Sequence, residues 1–222
     1  MQCNRINDHD LGQERRFHTI NDKRVKRDII VIGASAGGVQ ALQRIFTAFP
    51  SDMEAVVGVV LHRGPRPSEL MSVLARRSTL TVVEPHHRMI LKPGTIYLAP
   101  AGHHLLFQKR AAVVQRGPRE HSTRPSIDPL FRSAAESYGP RVVGLLLTGC
   151  GEDGVSGLVS ITKGLGLTLV QDPDEAYMPY MPLNAMRYDD VAGVVSLSNA
   201  ASILALLAGG DRVRVEGMAA GR

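Results

Sequence analysis

Apolar and polar positions along this chain recur with two different periods, and the places where the period changes mark out its elements. Asp28-Ile29-Ile30-Val31-Ile32 is a short, nearly continuous β-branched run of the kind that forms a buried parallel strand. Residues 39–46 then carry apolar side chains at helical spacing, residues 55–61 form a second apolar strand, and residues 67–75 read as helix again. Residues 80–83 are a further strand, while residues 89–100, 104–108 and 111–115 are short strands joined by turns, an antiparallel excursion in the middle of the chain. Helical spacing returns at Ile127, Leu130, Phe131 and Ala134. Residues 142–147 are then strand, 155–163 helix and 167–170 strand, with a last strand and helix between 191 and 208. This alternation predicts an α/β fold: a doubly wound, mostly parallel sheet with helices on both faces. Residues 1–27 and 209–222 keep neither period, so we expect a flexible basic leader, one folded domain over 28–208, and a tail.

Composition narrows this picture little. A chain of 222 residues with 44% hydrophobic content is enough for one α/β domain with a sizeable core. No apolar run approaches a membrane span and residues 1–16 are too polar for a signal peptide, so a soluble, cytoplasmic protein is expected. The net charge of +5 owes much to Arg15, Arg16, Lys23, Arg24, Lys26 and Arg27, with only Phe17 interleaved among them; this predicts a solvated leader and no nucleic-acid partner. The two cysteines, Cys3 and Cys150, lie in unlike contexts and are expected as reduced thiols.

Candidate chemistry concentrates at strand ends. The first strand runs into Gly33-Ala34-Ser35-Ala36-Gly37-Gly38, which places a serine in a glycine-lined turn where a helix begins. Gly33-x-Ser35-x-Gly37 fits the nucleophile elbow G-x-S-x-G, and the strand, turn and helix also suggest a phosphate or dinucleotide site. A G-x-G-x-x-G fingerprint counted from Gly33 fails at Ser35, and an idle serine in a βα turn is the remaining reading. His62 follows the second strand, and Asp153 lies in the glycine-rich turn Thr148-Gly149-Cys150-Gly151-Glu152-Asp153-Gly154. In a doubly wound sheet these ends share one edge, where Ser35, His62 and Asp153 would serve as nucleophile, base and carboxylate. Backbone N–H groups near Cys150 or Ala36 would meet the oxyanion, each such donor being worth roughly 3 kcal/mol in the transition state. The usual α/β-hydrolase order of serine, acid, histidine does not fit, because no histidine follows His121; Glu84 with His121 is the weaker alternative pair.

Ile32-Gly33-Ala34-Ser35-Ala36-Gly37-Gly38, His62 with Pro65, Arg124-Pro125-Ser126-Ile127-Asp128-Pro129-Leu130-Phe131, and Leu147 through Gly154 together resemble the catalytic domain of CheB-type protein-glutamate methylesterases, block by block and in the family's order. The resemblance implies hydrolysis of γ-glutamyl methyl esters on chemoreceptors or related signalling proteins, often with glutamine deamidation, and without cofactor or metal. It assigns the nucleophile to Ser35, the base to His62, the carboxylate to Asp153 and an oxyanion-binding amide to Cys150. Ala36, Cys150 and Glu152 depart from the family's threonine, methionine and asparagine. A leader of 27 residues cannot hold the receiver domain many members carry, so a freestanding esterase regulated by a partner or by expression is expected. The alternative is a catalytically silent docking or sensory module of the same fold.

Several other groups invite attention. Arg63 and Arg66 beside His62 suit an acidic receptor surface or, equally, a solvated loop. His86-His87 and His103-His104 lack the cysteine or carboxylate that would complete a zinc set. Asp172, Asp174 and Glu175 read as an acidic turn, Asp128 as a cap on its own helix, and Tyr177, Met178, Tyr180 and Met181 as a cleft lining or loop packing.

Overall fold

The computed structural model describes residues 15–66 and 68–218. Its strands are β1 (Arg15–Ile20), β2 (Ile29–Ala34), β3 (Val56–Leu61), β4 (Thr81–Val83), β5 (Arg88–Ile90), β6 (Thr95–Leu98), β7 (His104–Gln108), β8 (Ala111–Gln115), β9 (Val142–Leu146), β10 (Leu167–Gln171), β11 (Gly193–Val195) and β12 (Val213–Met218). Its helices are α1 (Gly38–Ala48), α2 (Leu70–Ala75), α3 (Ile127–Tyr138), α4 (Val155–Lys163), α5 (Tyr180–Tyr188) and α6 (Ala200–Gly209). Nine strands form one sheet in the order β1-β12-β11-β10-β9-β2-β3-β6-β4, and β5-β8-β7 form a separate antiparallel sheet.

The large sheet is parallel from β11 to β4; β12 runs antiparallel to β11, and β1 antiparallel to β12. Strand β2 is central and all six of its residues are buried. Alternate residues face opposite layers, as the period of two requires. Ile30, Ile32 and Ala34 pack with Leu42 and Phe46 of α1 and Leu204 of α6, whereas Val31 joins the cluster holding Leu130 of α3, Leu158 of α4 and Met181 of α5. Helices therefore cover both faces, as the sequence predicts.

Chain direction away from β2 divides here: β3 lies on one side and β9, reached only after the small sheet and α3, on the other. This is a topological switch point, where open α/β sheets place their functional crevice. Register makes the edge level, with Ala34 opposite Leu61 and Gly33 opposite Leu146, so that Ser35, His62 and the Thr148–Gly154 turn emerge together.

The structure departs from the sequence reading at several places. The stretch 89–100 is divided: β5 joins the small sheet, while β6, with all four residues buried, is an interior strand parallel to β3. Segments expected in the leader and tail form β1 and β12, in which Ile20, Val213 and Val215 turn inward at strand spacing. Arg27 is buried, not solvated, and donates to the carbonyls of Pro140 and Leu165. Helix α5 was hidden by Pro182, which is tolerated because a first-turn N–H has no intrahelical acceptor to lose. The rest of the expected leader, residues 1–14, and residues 219–222 lie outside the described residues.

Candidate active site

Two strand-to-helix turns frame the site. After β2, Ser35 donates its backbone N–H to the Thr148 carbonyl at 2.9 Å and accepts from Gly38 N–H at 2.9 Å. Gly37 takes φ +81° to start α1, and a Cβ there would come 2.6 Å from Cβ of Tyr177. After β9, the Thr148 hydroxyl donates to the Ala36 carbonyl at 2.9 Å and accepts from Met178 N–H at 2.9 Å. That hydroxyl thus ties both turns to the approach of α5. Gly149 closes the frame from above: a Cβ on it would overlap Met181 Sδ and lie 2.7 Å from Ser35 Cβ.

Within this frame the three residues expected from the sequence meet. Ser35 Oγ lies 3.2 Å from His62 Nδ1, and His62 Nε2 lies 2.6 Å from Asp153 Oδ2. With the Nε2 proton donated to the carboxylate, Nδ1 presents its lone pair to the serine hydroxyl, the tautomer a general base requires. His62 is 13% exposed and Asp153 only 2%, so the carboxylate is shielded while the reacting end of the chain opens outward.

Asp153 does not stand on His62 alone. Its Oδ2 accepts Ile127 N–H at 2.8 Å and its Oδ1 accepts Asp128 N–H at 3.0 Å, which closes the positive N-terminus of α3. Burial pushes this carboxyl up, but the hydrogen bond and charge of His62 and the two backbone N–H groups outweigh it and hold Asp153 below the ordinary carboxylate range. Asp128 shows the opposite balance. Burial and then the neighbouring Asp153 charge raise its carboxyl despite bonds from Gly157 and His121.

Asp128 also corrects its expected role, since it caps a neighbouring helix. Its Oδ1 accepts Gly154 N–H at 3.0 Å and Gly157 N–H at 2.7 Å, both at the start of α4, while Oδ2 lies 2.9 Å from His121 Nε2. Each aspartate stands near one helix start in sequence and closes the other's in space. Thr123 is a further residue that sequence reasoning missed. Its hydroxyl lies 3.4 Å from Asp153 Oδ2, 3.5 Å from His62 Nε2 and 2.7 Å from Ser126 Oγ. The only sequence signal for it was its place one residue before the Arg124 to Phe131 block.

Other candidates are drawn elsewhere. Arg63 bonds Glu84 at 2.7 Å and also the Ala99 carbonyl, so neither an acidic partner nor the Glu84 and His121 pair has this route to the site. Arg66 is exposed. His104 is buried and spent on Pro118 O and Ser126 N–H, and His103 Nδ1 on Ala101 O. Glu175 pairs with Arg44 at 3.2 Å and accepts Leu197 N–H, so the acidic turn is knitted to α1. Met181 is core, whereas Tyr177 is 75% exposed beside Gly37. Cys150 is disulfide-bonded, against the reduced thiol expected of it. Cys3 lies outside the described residues. His121, Asp128 and Asp153 each offer a ligand atom within 4.8 Å of one another, but their hydrogen bonds to helix termini and to each other already account for that approach. No helix among the described residues is long and apolar enough to cross a membrane.

The chain matches the CheB methylesterase family over residues 30–204. It is 35% identical over 178 residues, 79% of this chain and 92% of the relative, to a putative protein-glutamate methylesterase/protein-glutamine glutaminase of Leptospira interrogans. It is 34% identical to the protein-glutamate methylesterase FrzG of Myxococcus xanthus, matching 79% of this chain and 53% of that protein. The crystal structure of the Thermotoga maritima CheB methylesterase catalytic domain superposes with a TM-score of 0.76 at 29% identity, covering 82% of this chain and all of that one. A match spanning most of the chain, in sequence and in fold alike, means that this protein belongs to the CheB methylesterase family.

Proposed function

We propose that the chain is a serine esterase that removes methyl groups from glutamate side chains of chemoreceptors or related signalling proteins, with Ser35 as nucleophile. The observation that carries this reading is the continuous hydrogen-bonded chain from Ser35 Oγ through His62 to Asp153 at the level edge of β2, β3 and β9. His62 Nδ1 takes the Ser35 proton as Oγ attacks the ester carbonyl, and Asp153 stabilises the imidazolium that forms. The tetrahedral oxyanion is met by backbone N–H groups of Ala36, next to Ser35 in its turn, and of Cys150, next to the Gly149 that packs against Ser35 Cβ. The Cys150 role uses its amide and not its sulfur. Collapse expels methoxide, which leaves as methanol with the proton from His62; water then attacks the acyl-enzyme with His62 again as base, releasing the glutamate carboxylate and Ser35.

The same cycle on a glutamine amide would release ammonia, consistent with the glutaminase named among the relatives. None of these steps calls on a cofactor or metal. Tyr177, exposed beside the nucleophile turn, forms the rim on which the receptor segment lies. The site is read as facing the cytoplasmic portion of such receptors. Nothing in the site favours the silent docking module, since all three groups stand at bonding distance.

The test is methanol release from methyl-labelled receptor membranes by the wild type and by Ser35→Ala. Release that requires Ser35 is expected. Equal release by both would overturn the reading of Ser35, and none from either would favour the docking module.

A further inference from the structure

The buried aspartate on the first turn of α3 has no step in this cycle, yet it is bonded as tightly as Asp153. Asp128 is 1% exposed, and its Oδ1 holds two N–H groups of α4 while the N–H of the same residue holds Asp153 Oδ1. Asp153 immediately precedes Gly154, the first group that Asp128 grips. The two carboxylates therefore form a reciprocal clasp between helix starts. Displacing either one strips the acceptors from the helix terminus that it closes. The fit leaves little slack: a Cβ on Gly157 would stand 3.0 Å from Asp128 Oδ1 and overlap Phe131 Cβ at 2.4 Å.

We infer that Asp128 is a positioning residue of the esterase: by clasping the start of α4 it fixes Asp153, and through Asp153 the orientation and charge of His62. The role rests on the reading of Ser35, His62 and Asp153 given above. Coupling runs through named bonds. Asp128 sets the Gly154 backbone, Gly154 adjoins Asp153, and Asp153 Oδ2 sets His62 Nε2 at 2.6 Å. Charge adds to geometry, because the Asp128 carboxylate lies beside the Asp153 carboxylate that meets His62 Nε2. The titratable groups around this clasp are His62, His121, Asp128 and Asp153.

Two substitutions separate the contributions. Asp128→Asn keeps an oxygen for Gly154 and Gly157 and turns an N–H toward His121, whose exposed ring accepts it in the other tautomer. Asp128→Ala removes the clasp. With receptor membranes as substrate, Asp128→Ala is expected to lower kcat by about ten- to a hundredfold with KM within twofold, the scale of a misplaced catalytic group. Asp128→Asn is expected to restore kcat to within about threefold of wild type while moving the acid limb of kcat/KM to lower pH, because an imidazolium with one less anion nearby loses its proton more readily. A merely structural aspartate would leave that limb in place.

Wild-type kcat in Asp128→Ala, or an Asp128→Asn enzyme with an unmoved acid limb, overturns the inference. If Asp128→Ala does not fold, the acid limb of Asp128→Asn decides alone. Ser35-dependent activity that ignores both substitutions refutes the role of Asp128 only, whereas activity surviving Ser35→Ala refutes the underlying catalytic reading.

Discussion

The turns after β2 and β9 are built alike and used differently. Each ends a buried strand, each starts a helix from a left-handed glycine, Gly37 at φ +81° and Gly154 at φ +100°, and each delivers a polar side chain to the same edge. At the first turn the start of α1 has no acidic residue and its N-cap makes no side-chain bond, so positive helix potential remains available near Ser35 for a developing oxyanion. At the second, the start of α4 is closed by Asp128, and Asp153 is spent on the start of α3. A nucleophile needs an open anion site, whereas the carboxylate that orients the base needs a shielded and fully bonded one.

The strongest way to break this contrast is to neutralise the shielded turn. Asp153→Asn leaves the shape but removes the charge that holds the His62 tautomer, and kcat is expected to fall by about 10³- to 10⁴-fold in the methanol-release assay. Next in size is a pair of methyl insertions. Gly149→Ala drives a Cβ into Met181 Sδ and Ser35 Cβ, and kcat should fall about a hundredfold. Gly154→Ala places its Cβ 2.7 Å from Leu146 Cδ1 at a backbone angle unsuited to alanine. Its main effect should be lost stability, about 2 kcal/mol by denaturant unfolding.

The two aspartates should also differ in the sign of their pH effect. Asp153 is held low in the folded protein, so its stabilisation is present above the ordinary carboxyl range and is lost as pH falls through its folded value. Asp128 is held high, so the folded state takes up its proton first and its contribution improves as pH falls through that raised value. Unfolding free energies measured between about pH 3 and 6 should therefore rise less steeply with pH in Asp153→Asn than in wild type, and more steeply in Asp128→Asn. The smallest effect expected is at the open turn's rim, where Tyr177→Ala should raise KM for receptor about threefold with little change in kcat, the loss of one exposed aromatic contact.

Local patterning made much of this fold legible. The β-branched run of β2, the helical spacing of α1 and the glycine turns placed Ser35, His62 and Asp153 at strand ends, and the parallel register then brought them level. What stayed hidden depends on distant partners. Strand β6 looks like a neighbour of β5 until burial on both faces commits it to β3. Strands β1 and β12 sit among arginines at opposite ends of the chain, and only their mutual pairing explains the inward Ile20 and Val215. Arg63 read as a free charge beside the site because nothing in the sequence ties it to Glu84 and Ala99. The exchange of caps between Asp128 and Asp153 is invisible for the same reason: each aspartate stands beside a plausible helix start of its own.

On the proposed reading, His62 makes Ser35 a nucleophile at the open turn. A fluorophosphonate that phosphonylates activated serines tests it directly, with the modified residue located by peptide mass spectrometry. A single adduct on Ser35 is expected in the wild type, labelling slowed at least a hundredfold in His62→Gln, and none in Ser35→Ala. An unlabelled Ser35 in a protein that still releases methanol, or equal labelling of Ser35 in His62→Gln, would contradict it.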